Sequence, residues 1–277
     1  MRHLYRLFIP LLCGLVAASC TTYRGVDYVV DGGVGVPNRR YFHHEKLVRH
    51  SNYCTAFHKK HLQPTWVAWT LSANETEGSL KRTNNFQPDG SLRAKYRVST
   101  RDYSNSGYDR GHLCPAADNK HSQTAMDECF LMTNMCPQLH ELNAGGWQAL
   151  EDSCRLWARR EDSIVVVAGP IFTKRRKEQA SIGQRLRVTV PDAFFKVVLS
   201  LRPGHEKAIG FVFKHNAQPQ TVAETACSVD AVERLTGLNF FPRLSKMQQR
   251  QLEKDYDLAA WAARKRTPKK DGETRQF

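Results

Sequence analysis

The sequence predicts an α+β fold, a single domain with a central, largely antiparallel sheet flanked by helices. Several segments in the middle of the chain are apolar, or alternate in character, over strand lengths. Segments with helix start and stop signals bracket them, and the roughly 250 residues that follow the leader can bury one core. There is no internal repeat at solenoid period and no glycine-rich phosphate loop.

Residues 1–19 read as a leader. Arg2 and Arg6 precede an apolar run, residues 7–16, too short to span a membrane but suited to a signal segment. The run ends in Val16-Ala17-Ala18-Ser19-Cys20, which resembles a bacterial lipobox. Cleavage before Cys20 would leave a lipidated cysteine and tether the protein to a membrane face outside the cytoplasm. Thr21 suits outer-membrane sorting. Ordinary cleavage near Ala17 or Ser19 is the competing reading and gives a periplasmic or secreted protein. Residues 20–45, with Gly32, Gly33 and Gly35 and little apolar periodicity, read as a linker.

The domain spans residues 46–263. Residues 53–57 and 66–71 flank a polar turn and read as a hairpin, and residues 96–99 alternate like another strand. Residues 143–160 form a helix. Residues 164–168 are a continuous apolar run, a buried central strand, and residues 185–190, 194–201 and 208–213 extend the sheet. A helix over 229–236 starts after Ser228 and stops at Gly237, and good helix formers fill 244–263. Residues 264–277 read as a basic, disordered tail, with a nucleic-acid arm as the lesser alternative.

The chain has 41 Lys and Arg against 27 Asp and Glu, and loss of Arg2 and Arg6 with the leader takes the formal charge from +14 to +12. That excess suits a polyanionic partner, nucleic acid or an anionic envelope surface, and carries no sequence information. Of eight cysteines, Cys13 leaves with the leader and Cys20 takes the lipid. Cys54, Cys114, Cys129, Cys136, Cys154 and Cys227 remain, an even set that permits disulfides in an oxidising compartment without fixing their connectivity. Cys54, His58 and His61 have a faint zinc-ligand spacing, better explained as polar positions on a strand and turn.

The chemistry concentrates in Asp109-Arg110-Gly111-His112-Leu113-Cys114-Pro115-Ala116-Ala117-Asp118. His112 can take a proton from water near neutrality, while Arg110 stays charged and matches two phosphate oxygens. Downstream, Asn143, Trp147 and Glu151 are four apart and would share one helical face. Asn143 offers an amide oxygen of the type that magnesium accepts, and Glu151 could hold a metal-bound water. Trp147 reads better as core than as a substrate platform.

Residues 109–118 resemble the DRGH signature of the DNA/RNA non-specific endonucleases, a ββα-metal nuclease family. Asn134 and Gln138 resemble its Asn-x-x-Pro-Gln segment, and Leu142, Asn143, Gly145, Trp147, Leu150 and Glu151 its metal-site helix. Arg82-Thr83-Asn84-Asn85-Phe86 and Trp66-Val67-Ala68-Trp69 resemble leading blocks; Val167-Ala168-Gly169-Pro170, Phe194-Phe195-Lys196-Val197-Val198 and Thr236-Gly237-Leu238 resemble later ones. The resemblance covers roughly residues 50 to 245. It implies a ββα-metal finger within the fold, with His112 as general base and Asn143 as the direct protein ligand of one divalent cation. It further implies Glu151 orienting that ion's waters, Arg110 positioning phosphate, and Asn134 and Arg82 on the substrate side. The expected cofactor is Mg2+, with Mn2+ as substitute. The expected substrates are DNA and RNA without sequence preference, cut to 5′-phosphate and 3′-hydroxyl ends, and a homodimer is a further implication. Cys114 and Ala144 depart from common family residues and bear on substrate preference. Two other classes stand beside this reading: a nucleic-acid-binding or envelope lipoprotein that kept the fold without the chemistry, and a phosphodiesterase for another ester.

Overall fold

The computed structural model describes residues 33–38 and 44–262, and one seven-stranded sheet organises them. Its strands are β1 (Glu45–Arg49), β2 (Cys54–His58), β3 (Gln63–Ser72), β6 (Ser163–Ile171), β9 (Ala193–Ser200), β10 (Lys207–Lys214) and β11 (Ala226–Cys227), in that spatial order. Every neighbouring pair is antiparallel. Two short ribbons lie outside it: β4 (Asp109–His112) with β5 (Met135–Gln138), and β7 (Ser181–Ile182) with β8 (Val188–Thr189). The helices used below are α1 (Gln123–Cys129), α2 (Gln148–Glu161), α3 (Val222–Thr225), α4 (Val229–Thr236) and α5 (Lys246–Glu253).

Strand alternation divides the core into two layers. Val67, Trp69 and Leu71 of β3, Ile164, Val166 and Ala168 of β6, and Ile209, Phe211 and Phe213 of β10 meet Leu150, Cys154, Trp157 and Ala158 of α2 on one face. Trp66, Ala68, Val165, Val167, Phe195 and Val197 meet Val229 and Val232 of α4, with Phe240 and Phe241, on the other. Covering both faces explains why residues 164–168 read as an unbroken apolar run. Ser228 caps α4 by accepting from Ala231 N, and Gly237 closes it at φ 69°.

Several expectations change. Residues 96–99 are not a strand: a capping box between Ser99 and Asp102 starts a 3-10 turn instead, and Arg97 turns back to hydrogen-bond Leu92 O and Gly90 O. Within 185–190 only Val188–Thr189 pairs, because Leu186 N donates to the buried Asp102 carboxylate, and the segment joins β7 rather than the central sheet. The C-terminal helix stops at Glu253, since the Asp257 side chain takes the N–H groups of Ala259 and Ala260 and starts a separate turn. The expected linker joins the fold at residues 33–38, where Val34 is buried and Asn38 bridges Asn239. Among the described residues no disulfide joins Cys54, Cys114, Cys129, Cys136, Cys154 or Cys227, which corrects the disulfides expected of them. Five are buried as small apolar groups, and burial pushes the Cys129 and Cys154 thiols up to about 12. The leader, Cys20 and the tail at 264–277 lie outside the described residues. No helix among the described residues is long and apolar enough to cross a membrane.

Candidate active site

The ribbon β4–β5 and helix α2 build the site. In the ribbon Arg110 pairs with Pro137, Gly111 with Cys136 and His112 with Met135, so Arg110 and His112 share one face while Gly111 turns to the other. There a Cβ on Gly111 would lie 1.9 Å from Gln138 Oε1, so any other residue at this position would force the Gln138 side chain to move. The two paired strands, joined by an excursion that contains α1, are followed by α2, and together ribbon and helix make a ββα unit.

His112 is 7% exposed and packs in a triangle of rings with Phe86, at 5.5 Å, and Phe130, at 4.9 Å between centroids, the two phenylalanines themselves 4.9 Å apart. Its Nε2 is buried without a hydrogen-bond partner. Burial, then the charges of Arg82 and Arg110, pushes its pKa down to about 3, so the imidazole is neutral and its lone pair is available throughout the physiological range. Each arginine lies over one of the same rings, Arg110 4.3 Å from the Phe86 centroid and Arg82 5.0 Å from that of Phe130. Arg82 is further held by Nε donating to Asn84 Oδ1 at 2.7 Å. Arg82, Asn84, Phe86 and Arg110 border a cleft of about 520 Å³, lined also by Tyr108, Asp109 and Asn143.

Asn143 lies in a π-helical turn, Asn143–Trp147, ahead of α2, broken by Gly145 at φ −104°, ψ −116°. The turn seats Gly146 so close to Gln220 O that a Cβ there would be 2.3 Å away. Asn143 Nδ2 donates to Asp109 Oδ2 at 2.9 Å. A carboxylate can only accept, so this contact fixes which end of the amide is nitrogen and leaves Oδ1 as the end available to a ligand. Neutral oxygen donors suit a hard divalent cation that retains most of its water, so the residues present fit such an ion. Asp109 also meets His140 Nδ1 at 2.9 Å.

Trp147 Nε1 donates to His112 O at 3.2 Å, coupling the helix to the catalytic strand from inside the core. One turn on, the Glu151 side chain is 13% exposed, and its Oε1 stands 4.0 Å from Lys196 Nζ. Lys196 is fully buried on β9, 4.4 Å from the Trp147 ring and 5.6 Å from that of Trp69. Burial raises the Glu151 pKa to about 7, with Lys196 opposing.

The structure therefore brings Arg82, Arg110 and Asn143 to one cleft with His112 beneath its aromatic wall, and places Glu151 behind them on α2. Asn134 is not available to substrate, contrary to expectation. It is fully buried, its Oδ1 accepts from Cys114 N at 2.9 Å, and its Nδ2 donates to Cys114 O and Cys129 O, both at 2.8 Å. It clamps the backbone two residues beyond His112. Phe86 and Phe130, Asp109 and Lys196 act here without having been singled out in the sequence. The available signal was that Phe86, Asp109 and Lys196 fall inside motif blocks.

A family model described as DNA/RNA non-specific endonuclease matches residues 28–247. The chain is 35% identical over 217 residues to the zebrafish (Danio rerio) "Nuclease EXOG, mitochondrial", covering 72% of this chain and 62% of that protein. It is 32% identical to the "Nuclease 1, mitochondrial" of Schizosaccharomyces pombe, covering 75% and 69%. With a "Nuclease" of the cyanobacterium Nostoc it shares 33% identity over 76% of this chain and 78% of the other. The chain thus spans less than two thirds of some relatives and about three quarters of others. Among solved structures it resembles a chain of the EndoG/EndoGI complex, with a TM-score of 0.67 and 26% identity over 73% of this chain and 88% of that one.

Proposed function

Because the chain belongs to the DNA/RNA non-specific endonuclease family, we propose that it hydrolyses phosphodiester bonds in both DNA and RNA, without sequence preference, in a reaction requiring magnesium or manganese. One observation carries the proposal: a neutral, buried histidine with an unpartnered Nε2 packs against Phe86 in the wall of a cleft lined by two phosphate-matching arginines, where Asp109 frees the Asn143 oxygen. Arg82 and Arg110 hold the phosphate, and since both contact charge rather than base edges they carry no sequence preference. His112 accepts a proton from the attacking water as its oxygen bonds to phosphorus; the opposite P–O bond breaks toward the 3′ oxygen, which is protonated from solvent. Asn143 would hold a hard divalent cation, with Glu151 behind it to orient the ion's waters, and the ion would supply charge to offset the negative charge developing on the phosphate and the leaving oxygen. Product ends are 5′-phosphate and 3′-hydroxyl.

The leader and Cys20 support a further part of this proposal, that the enzyme is exported and anchored by lipid outside the cytoplasm. End analysis tests the chemistry: nicked plasmid should be resealed by DNA ligase without prior end repair. Ends that ligase can seal only after the 3′-phosphate is removed and the 5′-hydroxyl phosphorylated would reject the proposed direction of attack.

A further inference from the structure

On α4 and α5 a second constellation lies outside the cleft. Asp230 and Glu233 are three apart on α4 and share a helical face, and Glu253 ends α5 opposite them. One carboxylate oxygen from each lies within 4.8 Å of the others; among the described residues this is the one group of three such side chains so placed. Glu253 is only 4% exposed, and its Oε1 is buried without a hydrogen-bond partner. An ionised carboxylate in that setting costs several kcal/mol unless something positive meets it. Lys246 is the nearby cation, but its Nζ donates to Gln249 Oε1 at 3.2 Å. Burial, then Glu233 and Asp230, holds the Glu253 pKa up to about 7, as expected for like charges facing one gap. Glu233 Oε1 accepts from Phe240 N at 2.9 Å, leaving its other oxygen for a ligand.

We propose that Asp230, Glu233 and Glu253 form a site for a hard divalent cation of calcium size, which fastens α5 to α4. Calcium takes oxygen ligands at about 2.3–2.6 Å in a flexible geometry, which suits three carboxylates supplied by two separate helices. Magnesium demands near-ideal octahedral geometry and gives up its water reluctantly, so an all-carboxylate group suits it less well. Three carboxylates around a dication leave one negative charge, which Lys246 offsets at a distance. Water completes a coordination shell of six to eight. The ion would connect α5 to the sheet through α4, whose Val229 and Val232 pack into the core.

The test uses the full chain stripped of metal with chelator and carrying Asn143→Ala, so that the cleft contributes no binding. Titration with calcium chloride should show one site by calorimetry and raise Tm by about 5 °C at saturating metal, the size expected for a ligand near a hundredfold above its Kd. Adding Glu253→Gln, or separately Asp230→Asn, should abolish both signals. Glu253→Gln removes a buried charge, so it should melt in chelator no lower than its parent. Absence of calcium heat and of any Tm response in folded Asn143→Ala would overturn the site and leave the cluster sharing a proton. Signals that survive both carboxylate substitutions would equally overturn it.

Discussion

Replacing Asp109 with asparagine tests how the Asn143 amide is aimed. The Asp109 carboxylate accepts from Asn143 Nδ2 at 2.9 Å and, having no proton to give, excludes the flipped amide. Asparagine can donate as well as accept, so Asp109→Asn permits both orientations and weakens a charge-assisted bond worth about 1.5–3 kcal/mol. Loss of a partner that orients a metal ligand typically costs about 10–100-fold in metal affinity, about 1.4–2.7 kcal/mol, which agrees with that range. The second partner, His140, adds little because its side chain is 76% exposed. Plasmid nicking followed against magnesium concentration should therefore show the half-maximal concentration raised by about 10–100-fold, with activity recovered at high magnesium. His140→Ala should shift it by less than about threefold. A half-maximal magnesium concentration that Asp109→Asn leaves unchanged, or a loss of cleavage that excess metal does not restore, would refute the role given to this contact.

Three further outcomes follow from the same site. Asn134→Ala deprives Cys114 N, Cys114 O and Cys129 O of buried partners and should lower unfolding free energy by about 3 kcal/mol in urea titrations; a loss below about 1 kcal/mol would mean the clamp is dispensable. Gly111→Ala should cost about 1–3 kcal/mol and most of the activity, because its Cβ meets the buried Gln138, and Gln138→Ala in the same chain should recover part of both. The folded-state pKa of His112, about 3, lies below its ordinary value of 6.5, so its contribution to stability is full above about pH 6.5 and is lost as pH falls toward 3. Wild type should lose about 2 kcal/mol more than His112→Gln between about pH 8 and pH 5, and equal losses would show that His112 titrates normally.

Where a segment's local chemistry and its packing agreed, the sequence was readable. Helix α4 falls on 229–236 because Ser228 and Gly237 supply both ends, and β6, β9 and β10 fall on their apolar runs because the sheet is covered on both faces. The ribbon bearing Arg110 and His112 gave no such signal: each strand has four residues, one containing Gly111 and the other Pro137, and the pairing depends on Gln138 filling the space that Gly111 vacates. The helical face assumed for Asn143, Trp147 and Glu151 is interrupted by the π turn at Gly145, which simple periodicity does not register. Asp109 and Asn143 are brought together by the fold rather than by spacing, and a lysine within an apolar strand gives no sign that Lys196 ends beneath two tryptophan rings. Asn134 carried a motif position whose purpose, a backbone clamp, only its three hydrogen bonds reveal.

The central claim is metal-dependent cleavage of nucleic acid at the His112 cleft, and the most direct measurement incubates supercoiled plasmid and single-stranded RNA with the purified chain in magnesium. Parallel reactions contain excess chelator or the folded His112→Ala variant. Both substrates should be cut by the wild type, neither in chelator, and His112→Ala should be slower by at least about a hundredfold while still binding metal. Intact plasmid and RNA after incubation with folded wild type, or cleavage that continues undiminished in chelator or in His112→Ala, would contradict the account.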